Sequence, residues 1–563
     1  MSEVFDPFTG TYRSKAESAR VACLSATRML TKAIKTSYGA LGQDKMCISQ
    51  TGDVLITNDG ITILKNMLLN DPIADLIIEL SKQQDIEIGD GTTTIVLLAN
   101  ALIEKGIELI EKGLHSSIII AGYKQAYKES IALIRDRLSV NEYNLKNITK
   151  TTISSKLIEG DHFTNLILKA VLNTAQQTEN NEYFITNTVD SNNLLNQNIN
   201  ILKKEGGSMY DSVCLDGYAI NAQPVNKNMP KMMKNARVCL LDFDLSRIRM
   251  PLNVNIVCDN PDDLEKNRKE EIEIALKNVD KILKECDVIL TTRNIDDFCI
   301  KPILEAGKMA IKRVPMKDMK ILSDCLNIPI LKDVNGFMND DIFNDESLNV
   351  EQNAQGSNNK AVTILDNIEV KQLCHENYTV ITKNGASFST IILRGPNEQV
   401  IDEMERAVND GICALRKVIN TKKILPGGGA IEIALSIFLE KVARNISSKE
   451  SISLLSFTEC LHVIPKTLAI NAGMCPNETI SNLILKQIHL ERNGHENPHF
   501  YGLNVLTGQI GDNMEQGIVE PAILKMRIIR AAVEVAISIL RIDEIIKVPV
   551  KLPRERQDPC GGQ

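Results

Sequence analysis

The sequence predicts a multidomain α+β protein in which both ends of the chain build one mainly helical domain and the middle forms an α/β module inserted into it. Apolar residues recur at helical spacing over about the first 150 positions and again after about residue 408. Between these stretches, short apolar runs alternate with helical ones, the pattern of strands and covering helices. The two ends therefore look alike and the centre does not.

Composition sets the frame. The 563 residues suffice for roughly three or four ordinary domains. A hydrophobic fraction of 43% and a charged fraction of 24% are those of a soluble globular chain. Aromatics make up 4% and Trp is absent, so the core must be aliphatic. A net charge of -8 argues against a nucleic-acid binder, which usually carries a basic footprint. The opening residues have no basic and apolar leader pattern, and no apolar run approaches the ~20 residues of a membrane helix. Thirteen scattered cysteines, among them Cys23, Cys47, Cys214, Cys239 and Cys413, suggest reduced thiols and a cytosolic location.

In chain order, residues 16–37 predict a helix on Val21, Leu24, Met29, Leu30 and Ile34. Residues 54–64 predict two short strands about the turn Asn58-Asp59-Gly60. Helices follow at 73–84, 92–112 and 117–138. In the middle, strands are expected at 212–219, 236–243, 253–257, 288–291 and 309–314, with helices at 262–285 and 295–306. Long helices return at 401–420, 429–443, 451–470 and 522–540. The tracts 178–200 and 334–360 are rich in Asn, Asp and Ser and read as mobile surface loops. There is no sequence repeat.

The strongest local signal is Gly89-Asp-Gly-Thr-Thr-Thr94, followed at once by an apolar helical run. Small residues leave backbone N–H groups open to an anion, and the helix presents its positive end. The hydroxyls of Thr92, Thr93 and Thr94 suit phosphate oxygens, and Asp90 suits a Mg²⁺ that neutralises them. The same residues also read as a plain glycine turn with a Thr N-cap. Gly39 to Met46 follows a helix and reads equally as a C-cap, and Pro426-Gly-Gly-Gly-Ala430 as a flexible turn. Asp410 lies late in a helical run, where a carboxylate opposes the helix dipole, although a solvated face would also explain it. Other chemistries lack their signatures. There is no Walker lysine, His-Glu-x-x-His, Gly-x-Ser-x-Gly or paired Cys-x-x-Cys. His495 and His499 flank a helix-breaking Pro and read as loop residues.

Six motifs in order carry a resemblance to a known family. They are Leu41-Gly-Gln-Asp-Lys-Met46, Thr57-Asn-Asp-Gly-Ile-Thr-Ile-Leu64, Gln84-Asp-Ile-Glu-Ile-Gly-Asp-Gly-Thr-Thr-Thr94, Leu425-Pro-Gly-Gly-Gly-Ala-Ile-Glu432, Gln516-Gly-Ile-Val-Glu-Pro521 and Ile539-Leu-Arg-Ile-Asp-Glu-Ile-Ile546. In this order they resemble the group II chaperonins over nearly the whole chain. Within the eukaryotic cytosolic chaperonin, the alpha paralogue is the most similar. That match rests on Cys239-Leu-Leu-Asp-Phe-Asp-Leu245, Ile295-Asp-Asp-Phe-Cys299, Glu305-Ala-Gly-Lys-Met-Ala-Ile-Lys-Arg-Val314 and Leu461-His-Val-Ile-Pro-Lys-Thr-Leu-Ala-Ile-Asn-Ala472.

The resemblance implies the chaperonin fold. A discontinuous equatorial ATPase domain would span 1–148 and 408–563, a small intermediate domain 149–216 and 375–407, and an α/β apical domain with a helical protrusion 217–374. It implies an ATP-dependent, Mg²⁺-requiring folding machine with seven paralogous subunits in an eight-membered ring, two rings stacked. Its clients would be unfolded cytosolic proteins, among them actin and tubulin in this family. By the same resemblance Asp59 and Asp410 activate the attacking water and Asp90 binds the metal. Gly39, Gly91, Thr92, Thr93, Thr94, Lys156, Gly160, Gly428 and Glu515 contact the nucleotide. Two departures bear on rate. Tyr38-Gly-Ala40 stands where the family has Leu-Gly-Pro, and Asp410-Gly-Ile412 where it has Asp-Ala-Leu. Neither removes a catalytic group, so an ATPase is expected, with a nucleotide-binding but hydrolytically weak ring subunit as the alternative. A free-standing kinase has no motif to support it.

Overall fold

The structure is a computed structural model. It describes residues 4–6, 11–14, 16–48, 52, 54–67, 71–141, 144–156, 158, 160–174, 176–177, 183–184, 199–247, 261–326, 328–334, 362–373, 376–383, 388–495 and 497–547. Most of the tracts 178–200 and 334–360, and the expected strand at 253–257, lie outside the described residues. The chain divides into two compact units, one of residues 1–165 with 402–563 and one of residues 166–401.

The first unit is helical, as expected for two like ends. Its axis is the helix Thr92–Glu111, where Ile95, Val96, Leu97, Leu98 and Ala99 are all buried in succession. A helix that is apolar on every face needs partners all round. It finds them in Ala522–Leu540, Glu450–Leu461, Ala16–Ile34 and Pro72–Glu87. One aliphatic core results, running from Leu30 and Ile34 through Leu98 and Leu102 to Phe457, Ala532 and Ile539. Short strands tie the two halves of the sequence together. Ile424–Pro426 pairs antiparallel with Val519–Pro521, and Thr11–Ser14 pairs with Ile545–Lys547.

Three expectations need correction here. Residues 54–64 are not a hairpin. Val54–Thr57 is a strand, but its partner is the preceding Lys45–Ile48, and Gly60–Asn66 is a helix. The carboxylate of Asp59 accepts the N–H groups of Ile61 and Thr62, so Asn-Asp-Gly is an N-cap, and the β-branched run after it misleads. The run 451–470 is two helices, Glu450–Leu461 and Val463–Asn471, broken at His462. Pro465 has no N–H to give to Leu461, which interrupts the ladder there. The run 117–138 is the helix Ser116–Leu133 continued by a π-turn over Ile134–Leu138.

The second unit is the α/β module. Its main sheet runs Met309–Ile311, Val288–Thr291, Met232–Leu241, Thr363–Leu373, Glu376–Thr382, Tyr218–Ile220, with Ile330–Leu331 also on Met232–Leu241. Met309–Ile311, Val288–Thr291, Met232–Leu241 and Ile330–Leu331 run parallel, and the other pairings are antiparallel. Alternation along Met232–Leu241 sends Val238 and Leu240 into one core with Met319 and Leu322. It sends Cys239 and Leu241 into another with Val279, Ile282 and Ile303. Helices therefore cover both faces. The expected boundary at residue 374 falls between two strands that pair from Asn367↔Thr382 to Leu373↔Glu376. A separate three-stranded sheet joins Ile199–Glu205, Ser389–Gly395 and Val213–Leu215.

Candidate nucleotide site

A cavity of about 370 Å³ opens at the N-terminus of the helix Thr92–Glu111, wholly within the first unit. Segments from both ends of the sequence meet there. The loop before Thr92 brings Gly89, Asp90 and Gly91, and the helix brings Thr92, Thr93 and Thr94. Gly91 is the N-cap, with φ +77°, so the Thr N-cap considered above is not formed. A Cβ on Gly91 would lie 2.8 Å from Ile528 Cδ1 and 2.9 Å from Leu524 Cδ1, so glycine is required there for conformation and for space. No side chain caps this helix end, and its N–H groups remain open to a ligand. The turn at Asn58 and Asp59, the loop around Lys156 and Gly160, and Gly39 with Tyr38 form further walls. Gly428, Leu503, Val505, Gln516, Gly517 and Ile518 line an apolar flank suited to a flat ring.

Asp410 comes from the helix Glu398–Thr421. That helix continues for eleven residues beyond it, so Asp410 is central and the dipole cost expected for a C-terminal carboxylate does not arise. Its carboxylate accepts from Lys156 Nζ at 2.9 Å, with side chains 17% and 11% exposed. Loss of water around Asp410, with Asp59 and Asp90 close by, outweighs Lys156 and lifts its pKa to about 8. Burial would lower Lys156, but Asp410 and Asp59 overcome it and hold the ammonium above its usual value. Burial likewise raises Asp90, against the N–H of Gly91, which donates to Asp90 Oδ1 at 2.6 Å.

Of the residues expected at a nucleotide site, Gly39, Asp59, Asp90, Gly91, Thr92, Thr93, Thr94, Lys156, Gly160, Asp410 and Gly428 all line this cavity. Glu515 does not. It is exposed, its N–H bonds Asp512 Oδ1 at 3.2 Å, and its neighbours Gln516 and Gly517 form the wall instead. Sequence reasoning missed a buried charge cluster behind the phosphate loop. Lys525 Nζ bonds Glu432 Oε1 at 2.7 Å and Glu520 Oε2 at 2.9 Å, and Tyr38 stands beside it. Burial drives the Tyr38 hydroxyl far above its usual pKa. One signal for Lys525 was available: a cation in the first turn of an apolar helix, Ala522–Leu540, against the dipole.

Three carboxylates facing an anion repel it unless a cation intervenes. Asp90 beside the Thr hydroxyls is a donor set that fits Mg²⁺, which usually takes one or two carboxylates and fills its other positions with phosphate oxygens and water. Among the described residues no group of three or more His, Cys, Asp or Glu could by itself hold a metal ion. Among them, no helix is long and apolar enough to cross a membrane.

Residues 30–549 match the TCP-1/cpn60 chaperonin family. The chain is 39% identical over 527 residues to T-complex protein 1 subunit alpha of Encephalitozoon cuniculi, covering 92% of each. It is 35% identical over 550 residues to T-complex protein 1 subunit alpha of Arabidopsis thaliana, covering 95% of this chain and 96% of the relative. A thermosome subunit of Pyrococcus horikoshii is 32% identical over 562 residues, with 98% and 95% covered.

Proposed function

This chain belongs to the TCP-1/cpn60 chaperonin family, and we propose that it binds and hydrolyses MgATP in the cavity described, as one subunit of a hetero-oligomeric double ring that folds cytosolic proteins. The observation that carries the reading is convergence. Asp59, Asp90 and Asp410 come from both ends of the sequence and line one cavity at an open helix N-terminus.

The chain's own groups divide the work. The first turn of Thr92–Glu111 offers its N–H donors and the three Thr hydroxyls to the phosphates. Asp90 would hold Mg²⁺, which when bound neutralises charge on the terminal phosphates and polarises phosphorus. Asp59 and Asp410 accept hydrogen bonds from the attacking water and hold it in line. Lys156 pairs with Asp410 in this geometry and is within reach of a γ-phosphate in the same cavity. The α/β unit would bind clients, and closure of the subunit around nucleotide would convert binding energy into client confinement. The domain division expected at 1–148/408–563, 149–216/375–407 and 217–374 belongs to this proposal, with the end of the last domain moved from 374 to about 383 so that the strand Glu376–Thr382 stays with its sheet. So do the eightfold ring of paralogues and the cytoplasmic location.

A second reading, nucleotide binding with weak hydrolysis, draws on the Lys156–Asp410 pair, which occupies the carboxylate that must meet water. Asp410→Ala separates the two. In a ring whose other subunits are silenced, single-turnover hydrolysis is expected to fall ~10²–10⁴-fold with ATP binding largely kept. Unchanged hydrolysis supports the weak-hydrolysis reading, and lost binding assigns Asp410 to the architecture of the site.

A further inference from the structure

Outside the groups just assigned, a buried hydrogen-bonded chain runs from the Asp59 turn to the helix that carries Asp410. Thr57 ends the strand Val54–Thr57 and is fully buried. Its hydroxyl accepts the N–H of Asp59 at 3.1 Å and donates to Glu403 Oε2 at 2.8 Å. Glu403 Oε2 accepts from the Thr57 hydroxyl, so Glu403 sets the orientation of that hydroxyl and leaves its lone pair to the N–H of Asp59. Glu403 is 7% exposed, and Arg406 Nε and Nη2 reach the same Oε2 at 3.0 and 2.8 Å. Asn58 extends the chain. Its side-chain amide donates to the carbonyl of Ser155 at 2.9 Å, beside Lys156. Glu403 and Asp410 are seven residues apart on Glu398–Thr421, two helical turns along one face.

We infer that Glu403, through Thr57, is a positioning residue that fixes Asp59 relative to Asp410. The inference rests on the ATPase reading above and adds to it a part that neither touches the ligand nor lines the cavity. Stability alone is a weak reason for burying the Glu403–Arg406 pair. An apolar pair of the same shape is often as stable, whereas water positioning is lost with shifts of about 1 Å. Thr57 and Glu403 lie 346 positions apart, so the contact also requires the two halves of the unit to be in register.

The experiment uses the full chain in its ring with the other subunits silenced, and measures nucleotide binding and single-turnover hydrolysis in parallel. Thr57→Val removes the hydroxyl at constant shape. It is expected to slow hydrolysis ~10–100-fold while nucleotide affinity changes less than about 3-fold. Glu403→Ala should do the same. Glu403→Gln, which still accepts from Thr57, should recover most of the rate. In Asp410→Ala the Thr57→Val change should cost nothing further, since the geometry it protects has no second member. A structural role would make the losses add and would move binding with rate. If Glu403→Ala does not fold, Thr57→Val and Glu403→Gln carry the test alone. Hydrolysis equal to wild type in Thr57→Val overturns the inference. Absence of hydrolysis in the wild-type subunit overturns instead the ATPase reading on which it stands.

Discussion

Lys156→Met tests the electrostatics of the site, because it removes a charge and keeps the length of the side chain. In the wild type Asp410 already titrates at about 8, far above the usual value of about 3.9, since desolvation and two neighbouring carboxylates outweigh one ammonium. An opposite charge at 2.9 Å typically holds a carboxylate down by one to three units, so its removal should raise Asp410 by at least ~1 unit. A carboxylate that orients water acts only when ionised, so activity must rise with pH through its pKa. At pH 7 the ionised fraction, and kcat/KM with it, should fall ~10-fold or more through this effect.

The assay is the pH profile of kcat/KM at low ATP, which reports groups of the free enzyme. The wild type should show an acidic limb with its midpoint near 8. Lys156→Met should move it upward, and Lys156→Arg should leave it nearly in place. Lys156 would also stand near the phosphates of a nucleotide in this cavity, so a lower plateau alone proves nothing and the displaced midpoint is the diagnostic. A wild-type limb in the ordinary carboxylate range, or an unmoved midpoint in Lys156→Met, refutes the reasoning. Stability carries the same sign. The native state binds this proton more tightly than the unfolded chain. The contribution of Asp410 is therefore full below about 3.9 and is lost as pH rises through about 8.

Two further outcomes follow from the geometry. Asp90→Ala should abolish Mg²⁺-dependent nucleotide binding, read by titrating a fluorescent nucleotide with and without the metal, and metal-dependent occupancy that survives the change overturns the assignment of the ligand. Residues 217–383 should express as a soluble α/β module with cooperative unfolding by circular dichroism, whereas 217–374 should unfold more easily, because it lacks the strand Glu376–Thr382 that bridges Thr363–Leu373 and Tyr218–Ile220. Equal stability of the two fragments would show that this strand is dispensable.

What was legible in the sequence and what was not follows from the range over which each signal acts. Thr92–Glu111 and Ala522–Leu540 were readable end to end, because a long apolar run at helical spacing is a local property. The inserted α/β module was readable in part: 236–243, 288–291 and 309–314 overlap strands of its main sheet, whereas Thr363–Leu373 and Glu376–Thr382 were not read and 212–219 is two strands of different sheets. Errors arose where one tripeptide serves two structures. Asn58-Asp59-Gly60 suits a hairpin turn and a helix cap alike. What decides is that Lys45–Ile48, and not Ile61–Leu64, pairs with Val54–Thr57. Asp410 was judged by its distance from an assumed helix end, yet Gly411 costs at most ~1 kcal/mol and the apolar face of Glu398–Thr421 carries the helix through it. The acidic residues of the site were found through motifs, which record spacing along the chain. Thr57 and Glu432 stand at the edges of two of those motifs and Glu403 and Lys525 in none, and spacing along the chain names no partner for any of the four. Each meets its partner through packing: Thr57 with Glu403 across 346 positions, and Glu432 with Lys525 across 93. A buried charge is tolerable only when its partner is already in place, so such pairs form late in the hierarchy and leave at most one trace in the sequence, a charged residue where an apolar one would be expected. Lys525 in Ala522–Leu540 is that trace. Glu403 leaves none, because a Glu in an amphipathic helix looks solvated until the strand end carrying Thr57 is laid against it.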